Sequence, residues 1–294
     1  MDELRTLFQT FPVFLYTTTG ILGLIVGSFL NVVIHRLPKM LENDWKSQCR
    51  SFLDIENQED KQAANYNLVL PGSHCPHCGH QITALENIPI VSFLLQGGKC
   101  RGCSRPISKS YPLIEALSAI LAVAISWRFG FGWPTLFALL LTWALIALTF
   151  IDLDHQLLPD NITLPFLWMG LFVNIFTLFS PLKDAVIGAI AGYLFLWTIF
   201  QLFKLATGKE GMGYGDFKLY ALFGAWLGWQ ILPLTILMAS FVGAIVGLFN
   251  ILFRGQGRNQ PIPFGPFLAA AGWVALMWGE QLNRVYLHIA KIPN

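Results

Sequence analysis

Trp133–Ile151 reads WPTLFALLLTWALIALTFI, nineteen residues without a charge, and the next residue is Asp152. A bilayer core of about 30 Å asks for about 20 apolar residues in one helix, so this run is long enough to cross. A carboxylate set directly against such a run is costly to bury and is a functional candidate by default. Comparable runs occupy Phe11–Ile34, Tyr111–Trp127, Ile162–Phe179 and Ala185–Phe203, then Phe217–Trp229, Leu232–Phe253 and Phe264–Leu282. Together they predict an all-α polytopic membrane protein with about eight transmembrane helices. Leu219–Phe253 could be taken for one span, since its 35 residues are nearly all apolar. As a single helix it would reach about 52 Å, too long for one crossing. The Gly228-Trp229-Gln230 break and Pro233 favour two.

Composition agrees. Of 294 residues, 54% are hydrophobic and 12% charged, whereas a soluble domain carries roughly a quarter charged residues. So few charges cannot cover the surface of a soluble protein of this size, and they also exclude disordered and small disulfide-stapled classes. A cleaved signal peptide at the first run is disfavoured by Asp2 and Glu3, where a basic segment belongs, and by the length of the run.

The net charge of +2 conceals an uneven distribution: nine of the 19 Lys/Arg, seven of the 17 Asp/Glu and all five cysteines lie between His35 and Lys109. The chain therefore reads as one charged insert between the first two spans of a hydrophobic body. With eight spans and the insert inside, cytoplasmic segments hold 14 Lys/Arg and the other side holds five, which is the positive-inside bias.

Within the insert, Cys75-Pro76-His77-Cys78 and Cys100-Arg101-Gly102-Cys103 form a paired CxxC with 21 residues between the pairs. Four thiolates on two tight turns suit a tetrahedral structural Zn²⁺ in a zinc-ribbon-like arrangement. Gly79 and Gly97-Gly98 permit the tight backbone around the sulfurs. Two disulfides are the competing reading, opposed by the reducing cytoplasmic side. His74, His77 and His80 are read as surface or supporting groups, because four cysteines already fill the site. Cys49 is read as a free thiol.

Outside the insert carboxylates are few, and two clusters stand out. Asp152-Leu153-Asp154-His155 leads to Pro159-Asp160-Asn161 between spans three and four, and Gly211-Met212-Gly213-Tyr214-Gly215-Asp216 opens span six from the same side. Glycines there let an extended peptide backbone approach closely. If Asp152 and Asp216 converge, like charges in a low dielectric would share one proton. One carboxylate could then activate water while the other protonates the scissile carbonyl or the leaving amine. Asp154 and Asp160, taken alone, read as helix caps or solvated charges in preference to functional groups. A phosphate-cradling loop is disfavoured by the missing Gly-Lys-Ser/Thr ending.

These residues together resemble the type IV prepilin peptidases, bifunctional membrane proteases with N-methyltransferase activity. The resemblance covers nearly the whole chain: Gly27-Ser28-Phe29-Leu30-Asn31 through His35-Arg36-Leu37-Pro38, the paired CxxC, Glu86-Asn87-Ile88-Pro89, and both aspartate motifs. The GxGD pattern alone also occurs in presenilin-like proteases, which lack the cysteine insert. The resemblance implies cleavage of the basic leader of type IV prepilins and type II secretion pseudopilins after a glycine on the cytoplasmic side of the inner membrane. N-methylation of the new terminus by S-adenosylmethionine would follow. It also implies Asp152 and Asp216 as the catalytic dyad, with Gly213, Gly215, Asp154 and Asp160 supporting the protease site, and Zn²⁺ on Cys75, Cys78, Cys100 and Cys103.

The resemblance also implies a methylation-linked role for Gly98, two residues before Cys100. Glu115 could face the same cavity or snorkel to the interface. No Gly-x-Gly-x-x-Gly follows a strand, so the common soluble nucleotide-cofactor fold is not expected. The implied organisation is residues 1–34 as first transmembrane helix, 35–110 as methyltransferase-associated insert and 111–294 as protease core, with substrate and lipid as partners and no nucleic acid. The alternative class is a transporter or assembly scaffold with a zinc-ribbon docking domain, favoured by intramembrane polar residues such as Asn31, Asn174 and Glu115. It is disfavoured by the placement of the aspartates at one membrane edge.

Overall fold

The structure, a computed structural model, describes residues 6, 8, 10–53, 66–254 and 262–289. Asp2, Glu3, residues 54–65 of the insert, Arg258 and Lys291 lie outside them. The chain forms two compact units, Met1–Phe131 and Gly132–Asn294. Among the described residues the secondary structure is helical, apart from two isolated β-bridges inside the insert, His74 with Gln81 and Lys99 with Pro106.

In the first unit α1 (Pro12–Phe52) packs against α2 (Ser110–Phe129). Lipid gives two such helices no hydrophobic reason to associate, so small residues and polar contacts hold them together. A Cβ on Gly23 would lie 2.7 Å from the Cα of Ala119, and one on Gly27 2.7 Å from the Cα of Glu115. Ser118 Oγ donates to the Gly23 carbonyl at 2.6 Å, and the Thr19 and Ser126 hydroxyls meet at 2.9 Å. The glycine of Gly27-Ser28-Phe29-Leu30-Asn31 is therefore a backbone-contact residue that brings Ser28 and Asn31 close to α2.

Helix α1 does not stop at Pro38, where the sequence suggests an end; it continues for 41 residues in all. That is about 62 Å of helix, twice the hydrocarbon thickness. A proline costs one helical bond, but the residues after it, Lys39-Met40-Leu41-Glu42, are strong helix formers. The extension also carries an exposed Glu42–Lys46 pair at 2.6 Å.

The second unit contains α3 (Trp133–His155), α4 (Asp160–Asn174), α5 (Leu182–Thr207), α6 (Tyr214–Leu227), α7 (Leu232–Arg254) and α8 (Gly265–Ile289). Among the described residues the eight long helices of both units correspond to the eight apolar runs, and a further five-residue helix, Val91–Leu95, lies in the insert. Five stretches among the described residues are long and apolar enough to cross a membrane: Pro12–Phe52, Ser110–Phe129, Trp133–His155, Leu182–Thr207 and Trp229–Phe253. Helices α4 and α6, at 15 and 14 residues, are only about 22 Å long. The expected split near Pro233 is present: α6 ends at Gly228 with φ +83°, and a short 3₁₀ turn, Trp229–Ile231, precedes α7.

Helix α6 is the buried centre of this unit. Phe217 and every residue from Leu219 to Trp226 are enclosed. Gly188 and Gly192 of α5 admit its backbone, since a Cβ on Gly192 would sit 2.9 Å from the Tyr220 carbonyl. Asn174, an intramembrane polar residue that could suggest transport, is fully used in structure. Its Nδ2 donates to the carbonyls of Ala225 and Trp226 at 2.9 Å each, and its Oδ1 accepts from Phe179 and Ser180. It closes the end of α6, where carbonyls would otherwise be orphaned.

Candidate active sites

Asp152 lies in the last turn of α3 and Asp216 in the first turn of α6; they are 6% and 8% exposed. The two carboxylates are near enough for the charge of one to act on the other. Asp152 Oδ2 accepts a hydrogen bond at 3.0 Å from the backbone N–H of Gly265, the first residue of α8. Leu158, from the loop after α3, fills the space between two glycines. A Cβ on Gly215 would be 2.7 Å from Leu158 Cβ, and one on Gly265 would be 2.6 Å from Asp152 Oδ2. Gly213 precedes α6, and its missing side chain would come 3.8 Å from Asp216 Oδ2. Beside Asp216 the rings of Phe200, Tyr214 and Phe217 form a cluster with centroids 5.4–5.5 Å apart.

Asp154 and Asp160 are exposed. Both oxygens of Asp160, at the start of α4, accept from Lys218 Nζ of α6 at 2.7 Å. That pair ties the two helices that follow the aspartate motifs. Gly265 and Leu158 are absent from the sequence-level candidates. Pro266 beside Gly265 marks a helix start, but nothing local names a partner 113 residues away.

In the first unit the four thiols are gathered so that all four sulfurs lie within 4.8 Å of one another. Cys75 and Cys103 are 3.9 Å apart, as are Cys78 and Cys100. A tetrahedral zinc with bonds of about 2.3 Å places its sulfurs about 3.8 Å apart, so the cluster fits such an ion. The two turns are copies of each other. Cys75 N–H donates to His80 and Cys100 N–H to Arg105, both at 2.9 Å, and Gly79 and Ser104 return to the carbonyls of Cys75 and Cys100. Gly79 and Ser104, four residues after the first cysteine of each turn, both have positive φ.

The Cys75 thiol is held below its usual value, first by the backbone N–H of His77 and then by that of Cys78. Glu86 links the turns, contacting His80 at 3.3 Å and Arg101 at 3.5 Å. Its carboxyl is held below the usual range, chiefly by the backbone N–H of Thr83 and also by the Thr83 hydroxyl and His80.

Between these turns, α1 and α2 lies a cavity of about 570 Å³, within the range of small-molecule sites. Glu115 lines it and is 7% exposed, so it faces inward and does not snorkel. Its Oε2 accepts from the backbone N–H of Ile90 at 2.8 Å. Ile90 has φ +61°, a rare conformation for a β-branched residue and one that concentrates at functional sites. Gly98 has φ +68°, and a Cβ there would press on the ring of Phe93 at 3.1 Å; Phe93 itself lines the cavity.

Helices that cross a membrane, a buried carboxylate pair at helix ends and a four-thiol insert define a polytopic membrane protein with two separately built sites. Residues 21–129 match the bacterial Peptidase A24 N-terminal domain, and residues 139–248 match the type IV leader peptidase family. The chain is 58% identical over 279 residues to a prepilin leader peptidase/N-methyltransferase of Pseudomonas aeruginosa, covering 95% of this chain and 96% of that one. Proteins of the same description from Aeromonas hydrophila and Legionella pneumophila are 56% and 46% identical over 98% and 97% of this chain, and 99% and 98% of theirs. No solved structure matches it. The chain belongs to the type IV leader peptidase family.

Proposed function

We propose that the protein is a bifunctional inner-membrane enzyme that removes the leader of type IV prepilins and type II secretion pseudopilins on the cytoplasmic side and then N-methylates the exposed residue. The observation that carries the protease half is the burial of Asp152 and Asp216 at adjoining helix ends, beside glycines that leave room for a peptide backbone. One carboxylate takes a proton from water as it attacks the scissile carbonyl, and the other protonates the departing amine. Gly265 N–H fixes the orientation of Asp152. Gly213 and Gly215 open the approach, and Asp160 with Lys218 holds α4 to α6. Asp154, exposed after Asp152, is placed to meet the basic leader.

Cys75, Cys78, Cys100 and Cys103 hold a structural zinc that keeps the insert folded. The methyl-transfer centre lies in the insert cavity, where Gly98 and Glu115 are its candidate residues and S-adenosylmethionine supplies the methyl group. The Lys/Arg distribution supports a cytoplasmic insert.

Incubating the purified full-length protein with a prepilin in detergent, with and without S-adenosylmethionine, tests both halves by the mass of the mature N-terminus. Cleavage is expected in both samples and a gain of one methyl only with the donor. Asp152→Asn and Asp216→Asn are each expected to abolish cleavage in protein that still inserts; retained cleavage in either would overturn the assignment of the dyad.

A further inference from the structure

Glu86 and Glu115 are the two carboxylates lining the insert cavity, and their surroundings differ. Glu86 is met by His80 and Arg101. The partners of Glu115 are neutral donors, the Ile90 N–H and the Ser28 hydroxyl. The other charged or titratable groups of the cavity are His35, Arg36 and Lys39 on α1 and Tyr111 on α2. Arg36 donates to the Asn67 carbonyl at 3.0 Å and lies over the Tyr66 ring. The insert contributes His74 and His77, with Arg105 bonded to His77 at 2.8 Å.

A second feature of the lining also points to a ligand. Asn31 is 2% exposed, and its Nδ2 faces the carbonyls of Gly27 and Tyr111 at 3.3 and 3.2 Å. That fixes the amide orientation and leaves the buried Oδ1 without a donor. A buried acceptor of this kind is costly until something donates to it.

Methyl transfer from a sulfonium donor to an amine moves positive charge from sulfur to nitrogen. A carboxylate beside the sulfonium would stabilise the ground state and slow the step, whereas one beside the amine can take up its proton and free the nitrogen lone pair. We infer that Glu115 is the group that receives the acceptor peptide's α-amine, accepting its proton before methyl transfer; this deepens the methyltransferase reading above and rests on it. The α-ammonium gives a proton to the Glu115 carboxylate, leaving a neutral amine and a carboxylic acid. The nitrogen lone pair then forms the N–CH₃ bond. The C–S bonding pair passes to sulfur, so the sulfonium leaves as a neutral thioether and the product is a secondary ammonium.

The test uses full-length protein in detergent, a synthetic peptide with an already mature N-terminus, and Glu115→Gln, which preserves an acceptor for the Ile90 N–H. An α-amine with a pKa near 8 is about one-tenth neutral at pH 7, so an enzyme that cannot take up its proton meets about one-tenth of it in the reactive form. Methylation by Glu115→Gln is therefore expected to fall about tenfold at pH 7. It should recover by about tenfold towards pH 9, where the peptide amine deprotonates unaided. Calorimetric affinity for S-adenosylmethionine is expected to stay within threefold, and leader cleavage should be unchanged.

An equal loss at pH 7 and pH 9, a parallel loss of donor affinity, or full methylation at pH 7 would each overturn the inference. If Glu115→Gln does not insert, Glu115→Asp carries the test: it should lower kcat with donor affinity intact, and loss of donor affinity would overturn the inference. Failure of the underlying reading has a different signature, since wild-type protein would then cleave a prepilin yet methylate nothing at any pH.

Discussion

Alanine at position 265 would place a methyl carbon 2.6 Å from Asp152 Oδ2 and 3.2 Å from Leu158 Cδ2. Carbon and carbonyl-type oxygen approach comfortably no closer than about 3.3 Å, so the carboxylate would have to retreat by about 0.7 Å. Leu158 cannot yield instead, because its other side is pressed against Gly215. The 3.0 Å bond from Gly265 N–H to Asp152 would be distorted by the same shift. Misplacing a reacting group by about 1 Å costs on the order of 10²-fold in rate, so leader cleavage by Gly265→Ala should drop by about 30- to 100-fold. That corresponds to about 2.0–2.7 kcal/mol of lost transition-state stabilisation. Timed cleavage of a prepilin over a range of concentrations should show the loss in kcat, while methylation of a mature peptide persists. Gly279→Ala, just past the kink at Trp278 in α8, is the control: its Cβ meets only the flexible end of Ile231, at 3.0 Å. Cleavage by Gly265→Ala within threefold of wild type would refute the view that this close contact sets the position of Asp152.

Two further outcomes are expected. Cys75→Ser and Cys100→Ser should each lose bound zinc by metal analysis, because each removes one of four sulfurs in a closed cluster; unchanged metal content would exclude a four-sulfur site. Lys218→Ala should lower thermal stability only slightly, by about 1 kcal/mol or less, because Asp160 is half exposed and such pairs are weak; a large drop in Tm would assign α4 and α6 a stronger tie than the ion pair supplies.

Much of the fold was legible because lipid imposes a simple rule. Each long apolar run, from Trp133–Ile151 outward, corresponds to a helix, and the break at Gly228 falls where glycine and a following proline interrupt the pattern. The aspartates stood out because carboxylates are so scarce in the hydrophobic body. The paired CxxC was legible because metal ligation fixes spacing locally. What composition and motif did not reveal depends on contacts between distant elements. Gly265 holds Asp152 through a backbone N–H, a group every residue but proline possesses, so its side chain carries no signal. Glu115 was ambiguous between cavity and interface, and its contact with Ile90 across 25 residues resolves it. The continuation of α1 past Pro38 reflects the helix-forming residues beyond it outweighing one missing bond.

The length of α1 bears on how a lipid-anchored substrate meets the insert. Ser28, Asn31, His35 and Lys39 all line the cavity from this one continuous rod, so its wall rises about 17 Å along a single axis. The lower rungs belong to the apolar stretch and the upper ones to the charged extension. Under the proposed function, a pilin whose hydrophobic helix stays in the bilayer would be read along a ruler that starts at membrane depth.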